Sequence, residues 1–452
     1  MGRDMFFRYY VSDFSRTWDF CYKYLDSEHA PKHLTLGIEA VSLAFLSHQV
    51  SSQTARYLAR RKYCEALRKI NAVLQDPVAA KASSTFEGAL LLDLFEKIMK
   101  SASEINTSRH AHIEGALALV KLRGVESFRE DTEMRALMGL SLNATVCSLI
   151  TGRAVDDAIR QIRAHAAKFV HTDYPKWKLS GLMLEVTDLA SEMRKGCMTT
   201  EERIAKSAHF DQELELIALQ ASPVWTFERR SLHNVDDARL VPEGFPLVYD
   251  IYPDRMVTQM WNVLRIARML LCEEIISSCA MSSDPEMEAQ SDRSRSAILN
   301  LVQEMVASVP QMTDCDLVAK DKLPTGSTGK QHTHSMPHIL DVYILIFSLY
   351  VVAWSKSCPK AAVDWSVKQL RHIADHFAIK EAATILDILT KQKMEDCVDP
   401  WYRVSGHDIY TNCNYDTLPT ISDHRISSSP LLNTPTTSPL IAGLPPGWHI
   451  GT

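Results

Sequence analysis

The stretch FPLVYDIYPDRMVTQMWNVLRIARMLLCEEIISSC, residues 245 to 279, decides the fold class of this chain. A short apolar lead-in ends at Pro253, and a helical period then takes over. Apolar side chains recur at intervals of four, three, four and four residues, at Met260, Leu264, Ala267, Leu271 and Ile275. This spacing predicts one long helix that buries a single stripe in a core.

A second line of side chains runs beside that stripe at the same spacing. It consists of Trp261, Arg265, Arg268 and Cys272, so one aromatic ring and two guanidinium groups lie next to the predicted core. A buried arginine is costly unless an acidic or carbonyl group accepts its hydrogen bonds. The arginines are therefore expected either to bind buried acids or to line a pocket.

Working outward, helical periodicity continues through most of the chain, and no strand pattern competes with it. The predicted helices cover residues 36–50, 56–74, 90–98, 113–123, 132–150, 154–170, 255–279, 293–309, 338–354, 363–377 and 381–393. We predict an all-α fold, a stack of antiparallel helices with a disordered C-terminal tail.

Composition divides the chain into three parts. Residues 1–29 are rich in aromatic side chains and predict a short helix with a lead-in, and residues 30–395 form the main helical domain. Residues 396–452 form an extension, rich in Ser, Thr and Pro and expected to be disordered from about residue 417.

Charge and cysteine usage exclude some classes of function. The chain has 452 residues with 49 basic and 55 acidic side chains, a net charge of −6, which argues against direct nucleic-acid binding. Its 10 cysteines are scattered with no C-x2-C pair, which indicates reduced thiols in an intracellular compartment. No secretory signal or membrane anchor is predicted.

Two histidine groups raise the question of a metal. His332, His334 and His338 form H-x-H-x3-H with Asp341 one turn later, and His372 and His376 share a helix face. No spacing fixes a complete ligand set, so we interpret these histidines as surface side chains and predict no metal and no cofactor. Catalytic motifs such as H-E-x-x-H and G-x-S-x-G are also absent.

With these elements placed, the chain resembles the regulatory domain that follows the binuclear zinc-cluster module in fungal transcription factors, the fungal-specific transcription factor domain. The resemblance rests on blocks in that family's order and spacing, which together cover roughly residues 30 to 395. Among them are HIEGALALVKLRG at 112–124 and YDIYPDRMVTQMWNVLRIARMLLCEEI at 249–275. The others lie at 55–77, 86–96, 305–312 and 343–353.

The family reads DNA through six paired cysteines that hold two zinc ions, and this sequence contains no such pattern. The resemblance therefore implies a regulator of transcription without its own DNA-binding module. Such a protein would act in the nucleus through protein partners, including a DNA-binding transcription factor, or through a small-molecule effector. The alternative is an enzyme or small-molecule-binding protein of secondary metabolism on the same scaffold, in the cytoplasm.

The candidate site follows from the central helix and the family blocks. Either an effector pocket or a structural core is expected at Tyr249, Asp250, Trp261, Arg265, Arg268 and His112. In a pocket, the arginines and the tryptophan would bind an anionic or aromatic effector. In a structural core, the arginines would bind buried acids, with Asp250 and Glu273 as the expected partners.

Overall fold

A computed structural model describes most of the first 391 residues of the chain. The described ranges are 2–12, 16–25, 29–49, 52–99, 107–221, 225–232, 239–280, 284–317 and 334–391. Within them the protein has 17 α-helices of four residues or more and two short strands, so the predicted all-α fold is confirmed. The predicted tail and the rest of the extension from residue 396 lie outside the described residues.

The helices follow one another in this order: α1 Gly2–Met5, α2 Lys32–Gln49, α3 Gln53–Val73, α4 Pro77–Ala80, α5 Ser83–Met99, α6 Thr107–Arg123, α7 Asp131–Thr151, α8 Asp157–Ala166, α9 Pro175–Arg194, α10 Thr200–Gln220, α11 Arg255–Cys279, α12 Pro285–Ala307, α13 Pro310–Thr313, α14 Met336–Tyr343, α15 Ile346–Trp354, α16 Lys360–His376 and α17 Lys380–Lys391. Side-chain oxygens cap several of them. Asp254, for example, accepts a hydrogen bond from the backbone N–H of Val257 at the start of α11.

The N-terminal segment belongs to the first of two large hydrophobic cores. It is not one short helix, as predicted, but α1 followed by a π-helical turn, Phe6–Ser12, and a 3-10 helix, Arg16–Tyr24. Trp18 and Phe20 are buried with side chains of α2, α5 and α7. Residues on both sides of the predicted boundary after residue 29 therefore belong to the same hydrophobic core.

The second large core surrounds α11, which packs against α10, α12 and α15. Four of the five predicted stripe residues, from Met260 to Leu271, are buried in this core. The fifth, Ile275, is buried in a small adjoining cluster with Ile204 of α10. The helical period thus located the central helix and the face that it buries.

A two-stranded hairpin precedes α11, where the sequence predicted no strand. Strand β1, Glu228–Ser231, pairs antiparallel with β2, Val248–Ile251, and Arg229 lies opposite Asp250. Both strands have only four residues and carry charged side chains, so neither shows the apolar alternation that predicts a strand. The hairpin holds Asp250 and the following Tyr252 against α11 and α12.

Two further boundaries differ from prediction. The apolar run up to Trp354 is not one helix, because α14 ends at Tyr343 and α15 begins at Ile346. The predicted helix 293–309 begins earlier than expected, because α12 is capped by Asp284 and starts at Pro285. No helix in the described ranges is long and apolar enough to cross a membrane.

The described cysteines fit the expectation of reduced thiols. No two of the eight described cysteines, from Cys21 to Cys358, form a disulfide with each other, and three of the eight are buried. Buried free cysteines behave as small apolar side chains. The three buried thiols therefore contribute to packing.

Candidate functional site

Arg265 of α11 is the charged side chain buried most deeply beside the central stripe, with 0% of its surface exposed. Its Nε donates to Oε2 of Glu304 on α12 at 3.0 Å. Its Nη1 donates to the Tyr252 hydroxyl at 3.0 Å and to Oδ1 of Asn262 at 3.2 Å. In the part of the chain that the structure describes, Nη2 has no acceptor.

Aromatic rings surround this guanidinium. Its central carbon lies 5.2 Å from the ring centre of Trp261 and 6.0 Å from those of Phe227 and Tyr252. Ring faces attract a cation at such distances, more strongly when water is excluded. The aromatic shell therefore replaces part of the hydration that Arg265 loses on burial.

Asp250 of β2 is the second fully buried charge, and it is joined to Arg265 through one hydroxyl group. Arg229 on β1 clamps its carboxylate with two hydrogen bonds of 2.7 and 3.0 Å. The Tyr252 hydroxyl, which accepts from Arg265, donates to the same carboxylate at 3.4 Å. A continuous polar network thus runs from Arg229 through Asp250, Tyr252 and Arg265 to Glu304, and we call it the arginine network.

The pKa values of the network keep its hydrogen-bonding roles constant. Burial raises the pKa of Tyr252 to about 12, although the Arg265 charge opposes the shift. Burial lowers the pKa of Arg265, but Tyr252 and Glu304 outweigh it and the net shift is upward. Tyr252 therefore stays a neutral hydroxyl and Arg265 stays charged across the physiological range.

Glu304, at one end of the network, also lines an open cleft of about 740 Å³ between α10, α11 and α12. The volume falls within the range of small-molecule sites, about 300–1,000 Å³. The walls are mostly polar, and the lining residues are Glu215, Arg268, Ala289, Asp292, Arg293, Ser296, Ala297, Asn300, Leu301 and Glu304. We call this feature the α10–α12 cleft.

Arg268 lies in the cleft, but its charge is already compensated. Its Nε donates to Asp211 of α10 at 2.7 Å, and its Nη2 donates to Glu215 at 3.1 Å. The lining carries three carboxylates and two guanidinium groups, a formal charge of −1. An anionic effector at Arg268 would have to compete with Asp211 and Glu215, the two carboxylates of α10.

The expected partners of the arginines were wrong in detail. Arg265 binds Glu304 directly and reaches Asp250 only through Tyr252. Glu273 instead accepts hydrogen bonds from Ser355 and Ser357, at the turn after α15. Spacing along one helix identifies the buried arginines but carries no information about which acid another helix brings to them.

The other predicted site residues divide between the two cores. Trp261 donates its indole N–H to the backbone oxygen of Trp225 at 2.9 Å, so it fixes the chain that enters the hairpin. Tyr249 is 7% exposed and pairs with Arg230 across the hairpin. His112 lies in the N-terminal half, with Nε2 2.8 Å from the Tyr63 hydroxyl, and is not part of the arginine network.

Two histidines of the motif identified in the sequence stay together, with the ring centres of His334 and His338 5.3 Å apart. His338 has its Nε2 2.8 Å from the Met312 carbonyl oxygen, and Asp341 accepts from Arg255 at 2.8 Å. His332 lies outside the described residues. His334 and His376, which belonged to two separate sequence candidates, instead come together next to Cys315.

Sequence reasoning missed several of these groups. Glu304 and Tyr252 complete the network, yet neither occupies a motif or a distinctive spacing. The sequence analysis also did not identify Lys176, a buried lysine at the start of α9. Burial lowers the pKa of Lys176 to about 7, while the charge of Asp254 acts in the opposite direction. Lys176 does not line the α10–α12 cleft.

Comparison with known proteins adds no relative to this picture. No protein-family model, curated protein or solved structure matches the chain significantly.

Proposed function

We propose that this chain is a regulatory protein of the fungal-specific transcription factor type, which acts on transcription through protein partners and responds to a small effector. The resemblance of its helical blocks to that family supports the class of function. The observation that carries the proposal is the arginine network, which connects the α10–α12 cleft to the hairpin through fully buried charges.

Buried charges of this kind are weak evidence for stability alone. Apolar side chains of similar volume often replace a buried ion pair without loss, and in some proteins such buried charges instead provide specificity or a switch. Here a ligand that binds Glu304 would compete directly with the hydrogen bond from Arg265. The remaining bonds of Arg265 lead to Tyr252 and Asp250, so the hairpin would respond to the ligand.

The cleft chemistry favours a small cationic effector. Arg268 is compensated by Asp211 and Glu215, while Glu304 has a side chain that is 42% exposed. Asp292 adds a second carboxylate on the α12 wall. An amine-bearing metabolite satisfies these groups better than a phosphate or a carboxylic acid does.

No observation favours the alternative of an enzyme at this cleft. Among the described residues, the ten that line it include no histidine, cysteine, lysine or tyrosine. The lining offers one hydroxyl, that of Ser296, and three carboxylates, but no imidazole, thiol or amine. Binding and regulation are therefore the functions that its chemistry supports best.

A tethering assay tests the proposal. The whole chain is fused to an unrelated DNA-binding domain in a fungal reporter strain, and output is compared with that of the domain alone. We expect the fusion to change transcription and Glu304→Gln to reduce the change, because the neutral amide weakens both Arg265 pairing and ligand binding. Glu288→Gln is the matched control, since Glu288 is an exposed residue of the same helix outside the cleft.

Fusion abundance and nuclear location are measured in the same cells. A fusion that is abundant in the nucleus and leaves the reporter at the level of the DNA-binding domain alone contradicts the proposed function. The Glu304→Gln and Glu288→Gln fusions could instead change the reporter equally, relative to the DNA-binding domain alone. This result would support the regulatory activity and contradict a role for the cleft in it.

A further inference from the structure

Three potential metal ligands, none of which belongs to the arginine network, converge at the junction of α13, α14 and α16. The Sγ atom of Cys315 lies 3.4 Å from Nε2 of His334 and 3.4 Å from Nε2 of His376. All three ligand atoms lie within 4.8 Å of one another. Both imidazoles thus direct the same nitrogen toward one thiol.

These separations match the geometry of a tetrahedral zinc site. Zn–S bonds of about 2.3 Å and Zn–N bonds of about 2.0–2.1 Å imply an S–N edge of about 3.5 Å in a tetrahedron. The two observed S–N distances are 3.4 Å. A zinc ion therefore bonds to the thiol and both imidazoles once the two nitrogens, which lie within 4.8 Å of each other, close to the N–N edge of about 3.3 Å that such bonds imply.

The surrounding structure holds the three segments in place. Nε2 of His338 approaches the Met312 carbonyl oxygen at 2.8 Å, which attaches α14 to α13 just before Cys315. Asp314 accepts from the backbone N–H groups of Asp316 and Leu317, each at 3.0 Å, so the turn that carries Cys315 is fixed. Neighbours that orient the ligands in this way are typical of protein metal sites.

The Phe377 ring completes the wall of the cluster. Its centre lies 4.2 Å from that of His334 and 5.0 Å from that of His376. The ring limits the rotation of both imidazoles, while His376 is exposed and leaves a path for an ion to enter. The cluster thus combines a defined geometry with access from solvent.

We propose that Cys315, His334 and His376 bind one zinc ion. On binding, the Cys315 thiol releases its proton to solvent, the thiolate and the two neutral imidazoles donate electron pairs to the ion, and no oxidation occurs. Three protein ligands leave a fourth position for water or another ligand. The ion joins three segments that are separated in sequence by 19 and 42 residues.

Zinc analysis of the full chain, produced without a histidine tag, tests this site. We expect one equivalent of zinc per chain, and Cys315→Ser or His376→Asn to weaken zinc affinity roughly 100-fold or more, since even neighbours of ligands contribute 10–100-fold. Matched controls are Cys197→Ser and His209→Asn, which replace exposed residues outside the cluster. Both controls are expected to bind zinc as the unaltered chain does.

Cobalt substitution provides a second measurement, which reports the ligands of the bound metal rather than the affinity for zinc. Cobalt bound at this site should give intense visible bands of tetrahedral coordination and a thiolate charge-transfer band, and Cys315→Ser should abolish the latter. Circular dichroism of the metal-free variants verifies that they are folded. Zinc content below 0.1 equivalent in the unaltered chain, or equal affinity in Cys315→Ser and Cys197→Ser, would overturn the assignment.

Discussion

Replacement of Arg265 with alanine should lower the free energy of unfolding by about 3–5 kcal/mol, because it truncates a large buried side chain and removes the donor of two buried oxygen atoms. The Tyr252 hydroxyl and the Asn262 oxygen lose their donor in the interior, and a cavity replaces a side chain that is 0% exposed. Glu304 is 42% exposed and can recover hydration, so most of the loss arises at the buried partners. Urea denaturation followed by far-ultraviolet circular dichroism measures the change.

Arg265→Met separates the contribution of charge from that of volume. Methionine fills most of the space without a charge, so its loss should be smaller than that of alanine. If the alanine variant is insoluble, the methionine variant still allows the measurement. An alanine variant that loses less than about 1 kcal/mol would contradict a structural role for the arginine network.

Trp18→Ala is expected to cost about 3–5 kcal/mol, because truncation of a large buried aromatic side chain leaves a cavity. Trp18 is 1% exposed and packs in the first core, with its ring centre 5.9 Å from that of Phe20. Its indole N–H has no acceptor in the described residues, so the loss reflects packing rather than a hydrogen bond. The same denaturation measurement applies.

Tyr22→Ala is the matched control for Trp18, because it lies in the same 3-10 helix with 44% of its surface exposed. Its truncation should cost about 1 kcal/mol or less. Equal losses for the two variants would show that the N-terminal segment does not form part of the first core. Such a result would instead favour the predicted boundary after residue 29.

The sequence predicted most of the helices because each carries its own period, but it gave no helix bounds where α9 and α10 lie. The stripe from Met260 to Leu271 is buried as expected, and Arg265 lies beside it in the core. The hairpin was missed because Glu228–Ser231 has four exposed residues and no alternation. Local patterns therefore predicted elements whose burial is periodic and missed the two paired strands, whose burial is not.

The candidate site was only partly predictable for a different reason. Arg265 and Asp250 were both identified, but the Tyr252 hydroxyl that joins them and Glu304 on α12 meet only after folding. Cys315 and His376 likewise approach each other across 61 residues. A single sequence contains the ligands and charges, whereas their pairing depends on how helices pack.

Hydrogen–deuterium exchange of the hairpin in Glu304→Gln tests the coupling between cleft and hairpin most directly. The network predicts that amides in Glu228–Ser231 and Val248–Ile251 exchange about fivefold faster than in the unaltered chain, a coupling of about 1 kcal/mol. Glu288→Gln on the same helix should leave these amides unchanged. Identical hairpin exchange in Glu304→Gln, Glu288→Gln and the unaltered chain would contradict the account.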